Sequence, residues 1–151
     1  MLFFLIGSFA VIIFSILLHS NVIRYLKKQY QNNQSVKTYV TVTFILLASH
    51  VLQVMLFALL YYYHSLLKPM MSSFKGTEIV QFLDVFYYSF NCYTTLGMGD
   101  IYATGSIRIT AVMESLIGLI MIAWSASLIL SCLFVLILSF TFVFPTICGS
   151  L

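Results

Sequence analysis

Residues 94–100, Thr-Thr-Leu-Gly-Met-Gly-Asp, place two glycines, two threonines and an aspartate between long apolar runs and form the first candidate for a binding site. Two glycines separated by one residue permit positive φ, so successive backbone carbonyls can be turned to the same side. A row of such carbonyls, with the Thr95 hydroxyl at one end, is a ligand set for dehydrated cations. Because Gly-x-Gly-Asp is also ordinary turn chemistry, the elements on either side must decide between a cation site and a surface turn.

The composition is that of an integral membrane protein. Of the 151 residues, 62% are hydrophobic and 7% are charged, whereas a soluble domain has about 25% charged residues. The mean hydropathy is +1.05. The net charge of +3 is small, so we interpret the basic residues as a topology signal and expect no nucleic-acid partner. The sequence indicates no soluble partner either.

Three apolar segments are each long enough to cross a bilayer, which takes about 20 residues of helix. They run from Leu2 to His19, from about Tyr39 to Tyr63, and from Ile109 to at least Ile137. The first has neither a basic start nor a small-residue cleavage site, which favours a spanning helix over a signal peptide. The third continues apolar to Phe144, about 54 Å as straight helix, so it must tilt, bend or leave the membrane.

The charged residues predict the orientation. The first connection has basic residues and no acid, whereas the second has Lys68 and Lys75 partly offset by Glu78 and Asp84. The positive-inside rule therefore places the first connection and the C-terminus in the cytoplasm and the N-terminus outside. The basic residues of the first connection are Arg24, Lys27, Lys28 and Lys37.

The second connection contains an apolar stretch of half a bilayer's length. Asp84 is a good N-cap, and residues 85–94 would form about 15 Å of helix. A half-length helix followed by Gly-x-Gly is typical of a re-entrant loop. Irregular backbone at membrane depth must be buried in protein or line a watery path, and the negative C-terminal end of the short helix favours cations. These neighbours favour a pore over a surface turn.

The segment TTLGMGD resembles the selectivity-filter signature of potassium channels, Thr-Thr-Val/Leu-Gly-Tyr-Gly-Asp. The resemblance covers roughly residues 40–137, and ITAVMESLIGLIMIAWSASLIL is similar to the final helix of small bacterial ion-channel-domain proteins. It implies an all-α membrane protein with three transmembrane helices, a re-entrant pore helix and a filter loop in a tetrameric pore.

The resemblance also implies the organisation of the chain. Residues 1–37 would hold the first transmembrane helix and a basic cytoplasmic loop. Residues 38–144 would form the pore domain, with pore helix 85–94, filter 95–100 and inner helix 109–140. Residues 145–151 would be a short tail.

Potassium would be bound by the backbone carbonyls of Thr95, Leu96, Gly97 and Met98, with Gly99 completing the filter. The departure is Met98, where the family has Tyr or Phe. Methionine keeps apolar volume but loses the hydroxyl and the rigid ring. We expect its side chain to pack away from the ions among aromatics such as Tyr87 and Tyr88.

Several residues are predicted to support the filter. The resemblance places Tyr87 and Tyr88 at aromatic positions of the pore helix, and Asn91 where it would contact Asp100. Asp100 would brace the filter, attract cations, or do both. Glu114 is an intramembrane carboxylate and so a functional candidate. It would either brace the pore helix or be hydrated near the interface.

The predicted inner helix offers candidates for a cavity or gate. Gly118 matches a common hinge glycine of the family, and Ile122, Ser125 and Ala126 follow it at spacings that could line an inner cavity. On the second helix, His50 and Gln53 share one face, which predicts hydrogen bonds to another helix and leaves proton sensing as the alternative. We interpret His19 and His64 as interfacial.

The sequence therefore predicts a homotetrameric, potassium-selective passive cation channel in a plasma membrane, specifically a bacterial inner membrane. The alternatives are a weakly selective monovalent cation channel and a non-conducting membrane assembly protein with a vestigial pore loop. The residues form no catalytic triad, metal motif or phosphate loop, so we expect no enzyme. We also expect no cofactor, with potassium only as the permeant ion.

Overall fold

The computed structural model describes residues 2–67, 74–76 and 81–148, with side chains for residues 5–66, 74–76 and 81–138. Three long helices and one short helix make up most of the described residues. They are α1 (Leu2–Asn32), α2 (Val36–Leu67), α3 (Phe82–Tyr93) and α4 (Ile107–Cys148). Two-residue strands β1 (Phe74–Lys75) and β2 (Tyr102–Ala103) flank α3 and its following loop. Among the described residues, α1, α2 and α4 are long and apolar enough to cross a membrane. The predicted all-α membrane fold is confirmed.

The helix α1 is longer than the predicted apolar segment. It continues past His19 to Asn32, so Arg24, Lys27 and Lys28 lie on a helix and not in a loop. Arg and Lys are good helix formers, and the extension buries Leu26 completely. Only residues 33–35 separate α1 from α2. The predicted division of the chain into domains remains an expectation.

The helix α4 runs without interruption from Ile107 to Cys148, through Gly118. It therefore begins before and ends beyond the predicted range 109–140, and it includes the first residues of the expected tail. Residues 149–151 lie outside the described part of the chain. At about 1.5 Å per residue the helix is about 63 Å long, which is twice the hydrocarbon thickness of about 30 Å.

The segment between α2 and α4 is closed by a small ribbon. The strands β1 and β2 pair antiparallel, with Phe74 opposite Ala103 and Lys75 opposite Tyr102. Gly76, at φ +100°, packs on the loop that leaves the filter segment, since a Cβ there would lie 1.9 Å from the Asp100 carbonyl oxygen. The chain entering α3 is thereby joined to the chain leaving the predicted filter.

The two larger apolar clusters of the described residues hold the helices together. One surrounds α3 and contains Phe57, Tyr61, Val85 and Ile107. The other lies at the opposite end of α1, α2 and α4, and includes Leu26, Tyr30, Val42, Leu46 and Cys132. Tyr30 also donates a hydrogen bond of 2.6 Å to the Cys132 carbonyl. Ile12 of α1 belongs to the first cluster and Leu26 and Tyr30 of α1 to the second, so α1 packs against the other helices near both ends of the bundle.

Candidate ion-conduction site

The start of α3 is fixed by a local hydrogen bond. Gln81 is the N-cap, and its backbone N–H donates to Asp84 Oδ2 at 3.1 Å. Asp84 is therefore the third residue of the helix, and the prediction that it is the N-cap was wrong. The carboxylate still serves the helix start, because it accepts from an otherwise unpaired N–H and lies at the positive end of the helix dipole. The helix begins three residues before the predicted Val85.

The end of α3 leads directly into the predicted filter. Thr94 is the C-cap. The Thr95 N–H donates to the Cys92 carbonyl (3.1 Å), and the Leu96 N–H donates to the Asn91 carbonyl (3.0 Å). These two bonds are those of a Schellman motif. The motif requires a left-handed residue, and Thr95 takes it with φ +58°. The first filter residues are thus tied to the last turn of α3.

The filter backbone has positive φ at every second residue. The values are +58° at Thr95, +60° at Gly97 and +80° at Gly99. The sequence predicted this for the glycines but not for Thr95, a β-branched residue for which positive φ is an outlier. Only the structure reveals it, because the helix end imposes the conformation on Thr95.

The filter side chains have few contacts within one subunit. Met98 is 63% exposed and Leu96 is 62% exposed. Met98 borders a cavity of about 370 Å³ behind the filter, together with Tyr88, Asn91 and Ser115. Tyr88 itself is buried against Tyr61 and Phe74. The expected packing of Met98 among pore-helix aromatics is therefore not made within a single subunit.

Asn91 does not make the predicted hydrogen bond to Asp100. Its Nδ2 donates to the Tyr87 carbonyl at 3.0 Å, within its own helix. Its Oδ1 is buried and has no hydrogen-bond partner among the described residues. The Asp100 side chain is exposed. Both residues border the cavity beside residues 97–99, but no hydrogen bond joins their side chains.

Glu114 joins three helices. It is completely buried, and Tyr61 of α2 donates to its Oε2 at 2.6 Å. The Ser89 hydroxyl of α3 donates to its Oε1 at 2.5 Å and lies 2.9 Å from the Val54 carbonyl. Of the two interpretations left by the sequence, this geometry is that of a brace on α3, and not that of a carboxylate hydrated at an interface.

Gly118 is a packing position in an unbroken helix. A Cβ on Gly118 would lie 2.2 Å from the Tyr93 carbonyl oxygen and 3.0 Å from the Tyr93 ring. The absent side chain lets α4 approach the end of α3 where the filter begins. The family resemblance indicated the position of this glycine, but not this contact.

The three predicted cavity residues differ in environment. Ile122 and Ala126 are exposed in the single subunit, and both border an apolar cavity of about 400 Å³ between α2, α3 and α4. Ser125 is buried and contacts His19 at 3.0 Å and His50 at 2.9 Å. Ser125 also borders the same apolar cavity, so all three predicted residues lie along it.

His19 and His64 are both buried among the described residues, and their predicted position at a membrane interface stays a prediction. His19 lies inside the bundle because α1 continues for more than three turns beyond it.

The fold agrees with a comparison against protein families. A model described as "Ion channel" matches residues 1–135 of the chain. The chain belongs to the ion channel family. Comparisons with curated proteins and with solved structures returned no match.

Membership of the ion channel family has two consequences. The chain is an integral membrane protein for ion transport, and it is not an enzyme, as the sequence predicted. The match includes α1, so this helix lies within the family region together with α2, α3 and the filter segment.

Proposed function

We propose that four copies of this chain surround a potassium-selective pore that conducts passively. The observation that carries this proposal is the alternation of positive φ at Thr95, Gly97 and Gly99. Alternating backbone conformation turns successive carbonyls toward one side, which makes the segment a row of oxygen ligands. The carbonyls of Thr95, Leu96, Gly97 and Met98 bind K⁺, with the Thr95 hydroxyl below them.

The tetramer follows from the shape of one subunit. A single filter segment supplies one wall of ligands, and closed symmetry supplies the others. The exposed filter residues and the cavity bordered by Met98 support a neighbouring subunit at this surface. We place the N-terminus outside and the C-terminus in the cytoplasm of a bacterial inner membrane, from the basic residues at the α1–α2 connection.

A weakly selective cation channel is the second candidate, and Met98 favours it. A filter that discriminates between K⁺ and Na⁺ needs defined distances between its oxygens. Met98 is flexible and 63% exposed in one subunit. Neighbouring subunits must therefore supply the stiffness that the chain itself does not.

The test is ion uptake by liposomes that contain the purified protein. We expect Rb⁺ and K⁺ uptake that exceeds Na⁺ uptake. Gly97→Ala should abolish uptake and leave the oligomer intact, because a Cβ at Gly97 meets nothing within 4 Å but φ is +60°. Positive φ costs alanine about 1 kcal/mol in each subunit. Gly7→Ala, in α1, is the matched control and should conduct normally.

The outcomes separate the alternatives. Equal K⁺ and Na⁺ uptake would indicate the weakly selective channel. An intact oligomer without uptake of any monovalent cation would contradict conduction and favour an assembly protein. Normal uptake by Gly97→Ala would remove the filter backbone from the proposal.

A further inference from the structure

Five side chains from all four helices form a closed ring of hydrogen bonds beside the end of α3. Gln53 Nε2 lies 3.2 Å from His19 Nδ1, and His19 Nε2 lies 3.0 Å from Ser125 Oγ. Ser125 Oγ lies 2.9 Å from His50 Nε2, and His50 Nδ1 lies 2.9 Å from the Tyr93 hydroxyl. The Tyr93 hydroxyl donates to Gln53 Oε1 at 3.1 Å, which closes the ring.

One backbone carbonyl fixes the direction of every bond in the ring. The Ser49 carbonyl can only accept, and Gln53 Nε2 donates to it at 3.3 Å. The amide nitrogen of Gln53 therefore lies on the His19 side and its oxygen accepts from Tyr93. The Tyr93 oxygen must then accept from His50 Nδ1–H.

The directions of these hydrogen bonds also determine the tautomers of both imidazoles. With Nδ1–H donating to Tyr93, the Nε2 of a neutral His50 accepts from the Ser125 hydroxyl. The Ser125 oxygen accepts from His19 Nε2–H, and His19 Nδ1 accepts from Gln53. Each member donates once and accepts once around the ring only when both histidines are neutral and have opposite tautomers.

We propose that this neutral ring positions the end of α3 at which the filter starts. His19 and His50 are then positioning residues for conduction. The helix α1, which carries His19, is then part of the permeation apparatus. Tyr93 is the last residue of α3 and is 1% exposed. Its carbonyl is confined by Gly118 and its hydroxyl by the ring. The proposal rests on the proposed function for the effect on ion flow, but not for the ring itself.

Acid should open the ring. A protonated imidazole has two donors and no acceptor, so the added N–H of His50 would meet Ser125, or that of His19 would meet Gln53. The groups facing the imidazoles cannot offset a positive charge, because all are uncharged. They are the other imidazole at 5.0 Å, the Trp124 ring, the Tyr93 hydroxyl, the Met121 carbonyl, Ser49, Gln53 and Ser125.

The first experiment measures the ring without ion flow. Solid-state NMR of ¹⁵N-histidine-labelled protein in liposomes reports the tautomer of each imidazole, and single His→Gln variants assign the three signals. We expect Nδ1–H at His50 and Nε2–H at His19 near neutral pH. Identical tautomers, or imidazoles that are charged at neutral pH, would overturn the ring.

The second experiment measures Rb⁺ uptake against pH. Wild-type uptake should fall on acidification, whereas His50→Gln, which keeps one donor and one acceptor but cannot titrate, should lose less. His64→Gln removes an imidazole outside the ring and should keep the wild-type acid response. An unchanged acid response in His50→Gln would overturn the role of the ring in conduction.

Opening the ring at neutral pH completes the test. Ser125→Ala should lower Rb⁺ uptake at least about fivefold, because one lost hydrogen bond is worth about 1 kcal/mol. Tyr93→Phe replaces it if Ser125→Ala does not fold, and the same decrease is expected. The matched control is Ser131→Ala, because Ser131 is exposed on the same helix and its hydroxyl donates to the Ser127 carbonyl of that helix. Wild-type uptake in Ser125→Ala would contradict the proposal. Wild-type protein that passes no ions at any pH would instead contradict the proposed function, and the tautomers would then decide the ring.

Discussion

Met98 lies between two glycines that both adopt positive φ, whereas its own φ is not positive, so its backbone conformation is open to other L-residues. What the side chain can change is the support behind the filter. It borders a cavity of about 370 Å³ and is mostly exposed in one subunit. A thioether against an aromatic edge gains about 0.3–1.5 kcal/mol, but a methionine has three flexible torsions and no hydroxyl.

Met98→Tyr should therefore raise the selectivity for K⁺ over Na⁺. A tyrosine ring would fill more of the cavity behind the filter and restrict the range of filter shapes. The measurement is the reversal potential of wild type and variant in mixed K⁺ and Na⁺. Equal or poorer selectivity in a correctly assembled variant would mean that the residue between the glycines does not set the stiffness of the filter.

Glu114 offers a second prediction for a single residue. Glu114→Gln should retain most of the stability of the wild-type protein. The Gln oxygen can accept from Tyr61, and the Gln NH₂ can donate to the Ser89 oxygen. The Ser89 hydroxyl then donates to the Val54 carbonyl. Glu114→Leu leaves the buried Tyr61 hydroxyl without this acceptor, which costs about 1–3 kcal/mol. Thermal unfolding of the purified variants, followed by Trp124 fluorescence, distinguishes the two. Equal loss in both variants would show that the charge, and not the hydrogen bonding, matters.

The close contact between α3 and α4 depends on Gly118, which has no side chain. Gly118→Ala should separate the two helices and weaken the start of the filter, because the new Cβ would meet the Tyr93 carbonyl at 2.2 Å. Such overpacking costs about 1–3 kcal/mol. We expect lower thermal stability and reduced ion uptake.

Gly7→Ala is the matched control for this contact. It also places alanine on a long helix, but its Cβ would meet only the Leu60 Cδ1 methyl at 3.3 Å, at the end of a flexible side chain. Its stability should equal or exceed that of wild type, since alanine is the better helix former by about 1 kcal/mol. A Gly118→Ala protein as stable as Gly7→Ala would contradict the close approach.

The elements also show how far the sequence could predict the structure. Apolar segments located the three long helices, and the half-length segment located α3. The end of α1 was missed because Arg24, Lys27 and Lys28 look like a loop by charge, although they favour helix and lie beside buried Leu26. The spacing of His50 and Gln53 predicted an interhelical contact. Its partner His19 could not be identified, because that contact depends on how α1 packs.

Two features in and beside the filter segment also could not be predicted from the local sequence. Thr95 takes positive φ because the end of α3 requires it, whereas threonine by itself disfavours it. The β1–β2 ribbon pairs two strands of only two residues each, too short for an alternation of apolar and polar residues to be visible.

At the scale of the whole molecule, orientation can be tested independently of conduction. Lys75→Cys, on the exposed side of β1, should react with a membrane-impermeant maleimide added to intact cells. Asn33→Cys, in the connection between α1 and α2, should react only after the membrane is permeabilised. The reverse pattern would contradict the proposed topology and leave the fold unchanged.

The central claim is that carbonyls of four copies of residues 95–98 bind K⁺ on one axis. The most direct test is a crystal structure of the purified oligomer grown in Rb⁺, with Rb⁺ located by its anomalous scattering. We predict fourfold symmetry and a column of Rb⁺ sites between the carbonyls of Thr95, Leu96, Gly97 and Met98. Four filter segments splayed away from the axis, with their carbonyls bonded to protein and no Rb⁺ between them, would contradict it.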